Sequence, residues 1–356
     1  MPAATKTSQA SPEKAAPTLL PETVVQRKLP VNLHEGDLEL FKHELERVIP
    51  QTNLLELKDV RVSADGILFR QYKMLPESFA FPSNMELWRR RSRLKFFVGN
   101  YVLRRSVRVE QPVLWITDDW SNGYFHWLSD ALTRLYVMRD RLDGLLLLLP
   151  WDYEGRDFVR SSLRAFGVET VDFIAHDEVR LCSKVLMPTH TAPSGHYNEE
   201  IIRGVRSLLL QAYGAAQDSQ EYERIYISRG RARKRRISNE AAVIEVLDEF
   251  DFKILYAEDL SFEQQVRICS RAHYLVSNHG AGLTNMLFMP KQAGVLELRH
   301  QTDCVNNCYF TLAAALDLNY FYQTCRSSNS DQNPHAADLV VDTEALWTNL
   351  RLMLAS

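Results

Sequence analysis

The chain has 356 residues, enough for two ordinary domains, and its 46% hydrophobic and 24% charged content is that of a soluble globular protein. A formal net charge of -3 argues against a general nucleic-acid binder. Five scattered cysteines (Cys182, Cys269, Cys304, Cys308 and Cys325) include no CxxC pair, which excludes an ordinary zinc module and fits reduced thiols in a cytosolic protein.

Residues 1–34 carry no apolar run of signal-peptide type, and their Ala, Pro, Ser and Thr content predicts a disordered leader. Glu35 to Val48 reads as a short helix, and residues 58–115 as short strands and turns, among them Gly66–Phe69 and Phe96–Val98. Val113–Thr117 is a predicted strand, and Tyr124–Arg141 a long helix with apolar residues at 125, 128, 132, 135 and 138. A strand over Leu145–Leu149, a helix over Phe158–Phe166, and strands near Val171–Ile174 and Lys184–Met187 complete the first half. Pro188–Tyr197 is rich in turn formers, Glu199–Tyr213 is helical, and Gly214–Gln220 resembles a linker. The second half alternates strictly: strands at 225–228, 252–256, 274–277, 295–298 and 319–322, with helices at 239–250, 262–272, 283–289 and 308–316 between them. That is a Rossmann-like α/β pattern with a parallel sheet. A last helix covers 345–354. The division expected is a leader (1–34), an N-terminal α/β domain (35–205), a C-terminal Rossmann-like domain (206–325), and a loop and helix (326–356) packing back on the N-terminal domain.

Ligands of doubly wound sheets bind beyond the carboxyl ends of the strands. Four loops of the second half lie there: Ser228-Arg229-Gly-Arg231-Ala-Arg233-Lys234-Arg235-Arg236, Ala257–Leu260, His279-Gly280-Ala281-Gly282-Leu283-Thr284-Asn285, and the stretch from Glu297 to His300. Arginine grips phosphate oxygens bidentately, a glycine-rich helix start offers bare N–H groups, and an acid on the next strand can accept from two ribose hydroxyls. The set asks for a nucleoside diphosphate, although GxxxxGK[ST] and GxGxxG are both absent. Each piece alone also fits a plain turn or a solvated basic face. In the first half, His126 and Asp130 are four apart at a helix start and share a face, where they suit proton removal from a hydroxyl or mere mutual support. Asp118 and Asp119, being adjacent, make a poor chelate, and no metal is expected.

The stretches Asn122–Asp130 (NGYFHWLSD), Ile227–Arg229 with Arg236–Glu240 (RISNE), Leu260–Gln264 (LSFEQ), His279–Asn285 (HGAGLTN) and Val295–Leu298 (VLEL) together resemble glycosyltransferase family 61. The resemblance covers about 113–322. It implies a GT-B architecture, two Rossmann-like domains facing across a cleft, and inverting transfer from a nucleotide sugar, usually a UDP-sugar, without a bound metal. It further implies that Ser228, Arg229 and Lys234 or Arg235 hold the diphosphate together with His279, Gly280, Ala281, Gly282, Leu283, Thr284 and Asn285. Glu297 would take the ribose, Gln264 support the site or only the fold, and Asp130 or His126 act as base. Lacking an anchor, the chain looks like a bacterial-type cytoplasmic enzyme of capsule or other cell-surface polysaccharide assembly, with a saccharide or lipid-linked saccharide acceptor. The run WRRRSRLKFF, 88–97, suits peripheral contact with an anionic membrane or a solvated basic strand edge equally. The alternative is a non-catalytic polyanion or nucleic-acid binder working through 229–236. A hydrolase using His279–Gly282 as an oxyanion hole lacks GxSxG.

Overall fold

The computed structural model describes residues 16–168, 170–214, 223–328, 333–334 and 336–356, the side chains of 90–93 excepted. Most of the expected linker and the first fifteen residues of the leader lie outside the described residues.

Two sheets carry the architecture. In the second half, strands Arg224–Ile227, Lys253–Leu255, Tyr274–Asn278, Gly294–His300 and Asn319–Ser327 are parallel, and the short Leu339–Val340 joins antiparallel at one edge. All five predicted strands are present. Alternate residues serve opposite faces, as a pleated strand requires. Ile225, Ile227, Leu275, Val295 and Tyr320 face one core, while Tyr226, Val276, Leu296 and Phe321 face another. Both faces are covered, which is why these strands are near-continuous apolar runs.

Lateral order puts Arg224–Ile227 between Lys253–Leu255 and Tyr274–Asn278. The chain therefore winds outward in both directions from the first strand, and the topological switch point lies between the ends of Ile227 and Asn278. Helix Thr343–Ala355 buries Leu346, Leu350 and Met353 against this same sheet. It packs on the C-terminal half, rather than back on the N-terminal one, because its apolar stripe meets the exposed face of Leu296 and Phe321.

The first half is a nine-stranded mixed sheet. Its centre is Glu178–Pro188, paired antiparallel with the long Thr52–Ser63 and parallel with Arg105–Val109 and Val113–Leu114. Helices of both halves lie between the two sheets in one continuous core, where Trp127, Leu132 and Val205 share contacts with Leu275, Leu287 and Phe310.

Three expectations for this half are corrected. Residues 16–34 are not all leader: Thr18–Leu20 pairs with Thr52–Ser63, Thr23–Gln26 pairs with Glu46–Ile49, and Asn32 Nδ2 donates to the Tyr322 carbonyl at 2.7 Å. The helix expected from 35 to 48 breaks into short turns ending at Glu44, because Val48 and Ile49 are drawn into that strand pair; tertiary pairing outweighs local propensity. Phe41 nevertheless seats fully buried on Phe310 and Tyr322, a burial contributing about 1.5–3 kcal/mol. Phe96–Val98 is helix, not strand. Pro82 opens a helix running to Val98, and Phe96 and Phe97 pack on Phe69 at ring separations of 5.2 and 6.1 Å.

Candidate active site

At the switch point the first and third loops meet. Gly280 is extended, with φ 163°, so backbone strain does not explain it. Space does: a methyl added there would lie 2.4 Å from Arg229 Nη1 and 2.9 Å from Cζ. The Arg229 guanidinium fills the space that a side chain at Gly280 would need. Gly282 has a different reason, since its methyl would lie 2.8 Å from Ile227 Cγ2, where the turn Ala281–Phe288 presses on the first strand. The two glycines of HGAG thus admit an arginine and a close helix–strand approach.

Arg229 is half-buried, and burial, aided by the neighbouring Arg235, pushes its guanidinium below its ordinary value. Its Nη2 donates to the Lys234 carbonyl at 3.3 Å. Arg235 has a left-handed backbone (φ 58°), about 1–2 kcal/mol dearer than a right-handed one for a residue with a Cβ. The buried Asn278 amide holds that conformation by donating to the Arg235 carbonyl. Neither arginine has a carboxylate partner among the described residues. The rest of the basic run is divided otherwise. Arg231 pairs with Asp259, Arg236 pairs with Asp338, and Lys234 and Arg233 are exposed.

Several expected contact residues are occupied. Ser228 is buried, its Oγ donating to Glu240 Oε1 at 2.7 Å while accepting from the Gly230 N–H at 2.9 Å. Asn285 accepts from Tyr124 Oη at 2.7 Å and donates to Gln265 Oε1 at 3.0 Å, so it ties the two halves together. Leu283 and Thr284 are buried beneath the turn, whereas Ala281 and Gly282 remain partly exposed. Gln264 completes a capping box with Ser261 and serves the fold.

Glu297 is fully buried. His279 Nδ1 donates to its Oε1 and Tyr320 Oη to its Oε2, each at 2.5 Å. Burial alone would raise this carboxyl, but the electrostatic attraction and hydrogen bond of the His279 ring, Arg299 and the Tyr320 hydroxyl outweigh it and hold it below the usual range. With both oxygens engaged, Glu297 can act on its surroundings only through His279, whose Nε2 accepts from Asn306 Nδ2 at 3.0 Å.

In the N-terminal half, His126 Nδ1 donates to Asp130 Oδ2 at 2.8 Å, and Ser194 Oγ donates to the same oxygen at 2.8 Å. Asp130 is buried, but the His126 side chain is 22% exposed, and its Nε2 has no partner among the described residues. The long helix expected over 124–141 is broken here by a π turn, Trp127–Ala131, of the kind found at functional sites. Ser129 Oγ donates to the Phe125 carbonyl at 2.8 Å and Thr133 Oγ1 to the Asp130 carbonyl at 2.8 Å. Such back-bonding widens and bends a helix. Phe125 packs on Tyr309 at 5.6 Å and Tyr309 on His279 at 5.0 Å, so one row of rings joins the two histidines.

Sequence reasoning missed Ser194, Asn306 and Tyr309. Ser194 sits in the turn-rich 188–197 stretch, and Tyr309 in an apolar helix, where neither stands out. A second pair was also missed: His190 Nε2 lies 2.8 Å from Asp118 Oδ2, with the buried Arg134 at 4.0 Å from that carboxylate. Asp119 accepts from the Ala80 N–H and from Asn84, so the adjacent acids serve separate local networks. Among the described residues, no group of three or more His, Cys, Asp or Glu side chains is placed to hold a metal ion.

The family model described as Glycosyltransferase 61 matches residues 124–296. The chain is 25% identical over 239 residues to the EGF domain-specific O-linked N-acetylglucosamine transferase of Mus musculus, covering 60% of this chain and 45% of that one. It is 37% identical over 98 residues to the protein of the same name from Drosophila melanogaster, covering 27% and 18%. Protein O-linked-mannose beta-1,4-N-acetylglucosaminyltransferase 2 of Mus musculus is 35% identical over 108 residues, covering 30% and 18%. The chain spans less than half the length of these curated relatives. They are eukaryotic proteins, and they lend no support to the bacterial, capsule-assembling setting expected from the sequence. The site residues from Tyr124 to Asn285 fall inside the matched segment, Glu297, Asn306 and Tyr309 lie beyond it, and residues 124–296 match glycosyltransferase family 61.

Proposed function

We propose that this chain transfers a sugar from a nucleoside-diphosphate donor to a hydroxyl acceptor, with inversion and without a metal. The observation that carries the reading is the pair Arg229 and Arg235: two guanidinium groups at the switch point, one filling the space over Gly280, neither in a salt bridge with a carboxylate among the described residues, although Glu258 acts on Arg229 from a distance. Such a pair suits the oxygens of a diphosphate. The partly exposed Ala281 and Gly282 would add backbone N–H donors, and the exposed Lys234 a further charge. His279, fixed by Glu297 and Asn306, would then lie beside the nucleoside, so that Glu297 acts by holding His279.

His126 is the base in this reading, and Asp130 its support. A carboxylate on Nδ1 fixes the tautomer that leaves Nε2 free to accept a proton. As Nε2 takes the proton from the acceptor hydroxyl, that oxygen bonds to the anomeric carbon. The bond from that carbon to the donor diphosphate breaks, and its electron pair leaves on the diphosphate oxygen, facing Arg229 and Arg235. One displacement inverts the centre. The two α/β halves would face each other across this cleft in the GT-B manner.

The relatives' names favour N-acetylglucosamine as the sugar transferred and a hydroxyl on a protein, or on a protein-linked mannose, as acceptor; UDP as its carrier is our own reading. The dispersal of Arg231 and Arg236 onto Asp259 and Asp338 speaks against a polyanion-binding face. The test is transfer of labelled N-acetylglucosamine from UDP to folded EGF-like domains and to O-mannosyl peptides. Product that carries the opposite anomeric configuration to the donor supports the reading; donor binding with no transfer to either class refutes the acceptor assignment.

A further inference from the structure

The helix Pro82–Val98 and the π turn Gly99–Leu103 that follows it leave an apolar face open to solvent. Leu94 is 78% exposed, Val102 73% and Leu103 76%, with Val98 and Tyr72 also exposed. Between them runs an open groove of about 440 Å³ lined by Tyr72, Leu94, Phe97, Val98, Tyr101 and Val102. Scattered exposed leucines are ordinary, but a contiguous apolar patch of this kind marks an interaction surface.

The patch is shaped by backbone strain. Tyr72 stands at the tip of the hairpin joining Leu68–Arg70 to Lys73–Met74, and Gln71 and Tyr72 both have positive φ, 46° and 60°. That turn favours Asn-Gly, and a bulky residue in its left-handed positions costs about 1–2 kcal/mol. The strain holds the Tyr72 ring stacked on Tyr101, centroids 4.4 Å apart, with its edge in solvent.

Charge identifies the occupant. Arg70 and Lys73 flank Tyr72 on the hairpin, Lys95 follows Leu94, and none of the three has a carboxylate partner among the described residues. The sequence of 82–105 adds Arg90, Arg91 and Arg93, whereas Arg89, Arg104 and Arg105 pair with Glu86, Asp65 and Glu178. An apolar face rimmed by unpaired cations, with a tyrosine at its edge, is the chemistry of an interfacial helix on anionic lipid. We propose that this face docks the protein on an anionic membrane surface, with Leu94, Val98, Val102 and Tyr72 entering the headgroup–acyl boundary. No described helix is long and apolar enough to cross a membrane, so the contact is peripheral.

The test is co-sedimentation of the full chain with phosphatidylcholine vesicles, with and without phosphatidylserine, at low and high salt. Binding is expected only with phosphatidylserine and should weaken as salt rises. Lys73→Glu with Lys95→Glu should weaken it by roughly tenfold or more, on the scale of surface attraction per basic residue. Leu94→Glu with Val98→Glu should abolish it with only a small shift of the thermal unfolding midpoint, because Leu94 is 78% exposed and Val98 41%. The proposal is overturned if the wild-type chain ignores phosphatidylserine vesicles, or if Leu94→Glu with Val98→Glu binds them normally. A concentration-dependent dimer in lipid-free buffer that those substitutions dissolve would also overturn it, assigning the face to a second copy of the chain.

Discussion

Two histidines, one from each half and linked by a row of rings, each donate from Nδ1 to a buried carboxylate, yet their surroundings differ. His279 is nearly buried, its carboxylate is shared with Tyr320, and its Nε2 already accepts from Asn306. His126 shares its carboxylate with Ser194, its ring reaches solvent, and its Nε2 has no partner among the described residues. The same pair therefore serves two ends. Where every polar atom is matched, the imidazole is a fixed part of a wall; where one nitrogen is left open, it can move a proton.

Substitution of His126 tests that contrast most severely. His126→Gln is expected to lower transfer about 10²–10⁴-fold while sparing nucleotide affinity, as measured by turnover and by calorimetry on the same preparation. Full transfer by this variant would place the base elsewhere. Gly280→Ala comes next: the added methyl must displace the Arg229 guanidinium, with an expected loss of about 1–3 kcal/mol in nucleoside-diphosphate binding and an unchanged fold by circular dichroism. Affinity equal to wild type would show that Arg229 has room to move without consequence.

The Glu297–His279 pair yields a pH prediction. The native Glu297 carboxyl is held below its ordinary value, so the unfolded chain binds its proton more readily. Its contribution to stability is complete above the unfolded value, about 4.3, and is lost as pH falls through the native one. Thermal unfolding followed across acid pH should fall less steeply in Glu297→Gln than in wild type; parallel curves would deny the coupling. The smallest effect belongs to Gln264→Ala, which removes half of a capping box and should cost about 0.5 kcal/mol of stability with no change in nucleotide binding.

The two halves also differ in how much of them is legible in the sequence. In the second, the strands inside the sheet are buried on both faces and each helix is one turn-bounded segment, so local pattern and fold agree. Arg229, Gly280 and His279 could be placed at strand ends from that pattern alone. What could not be seen was depth: Glu297 looks like any acid at a strand end, and only the sheet's packing shows it lying beneath His279. In the first half the central pairing joins Thr52–Ser63 to Glu178–Pro188, more than a hundred residues apart, and a run such as TNLLELKDVRVS gives no local sign of its partner. The His126–Asp130 spacing was readable; its support from Ser194, in the loop after the far strand, was not.

Calorimetric titration with UDP and with uridine, in EDTA, on the wild-type chain and on Arg229→Ala with Arg235→Ala tests the central claim most directly. The account predicts that UDP binds the wild-type chain well above uridine, and that the double substitution removes about 1.5–3 kcal/mol per lost charged contact, bringing UDP down toward uridine. UDP affinity untouched by the loss of both arginines would contradict it.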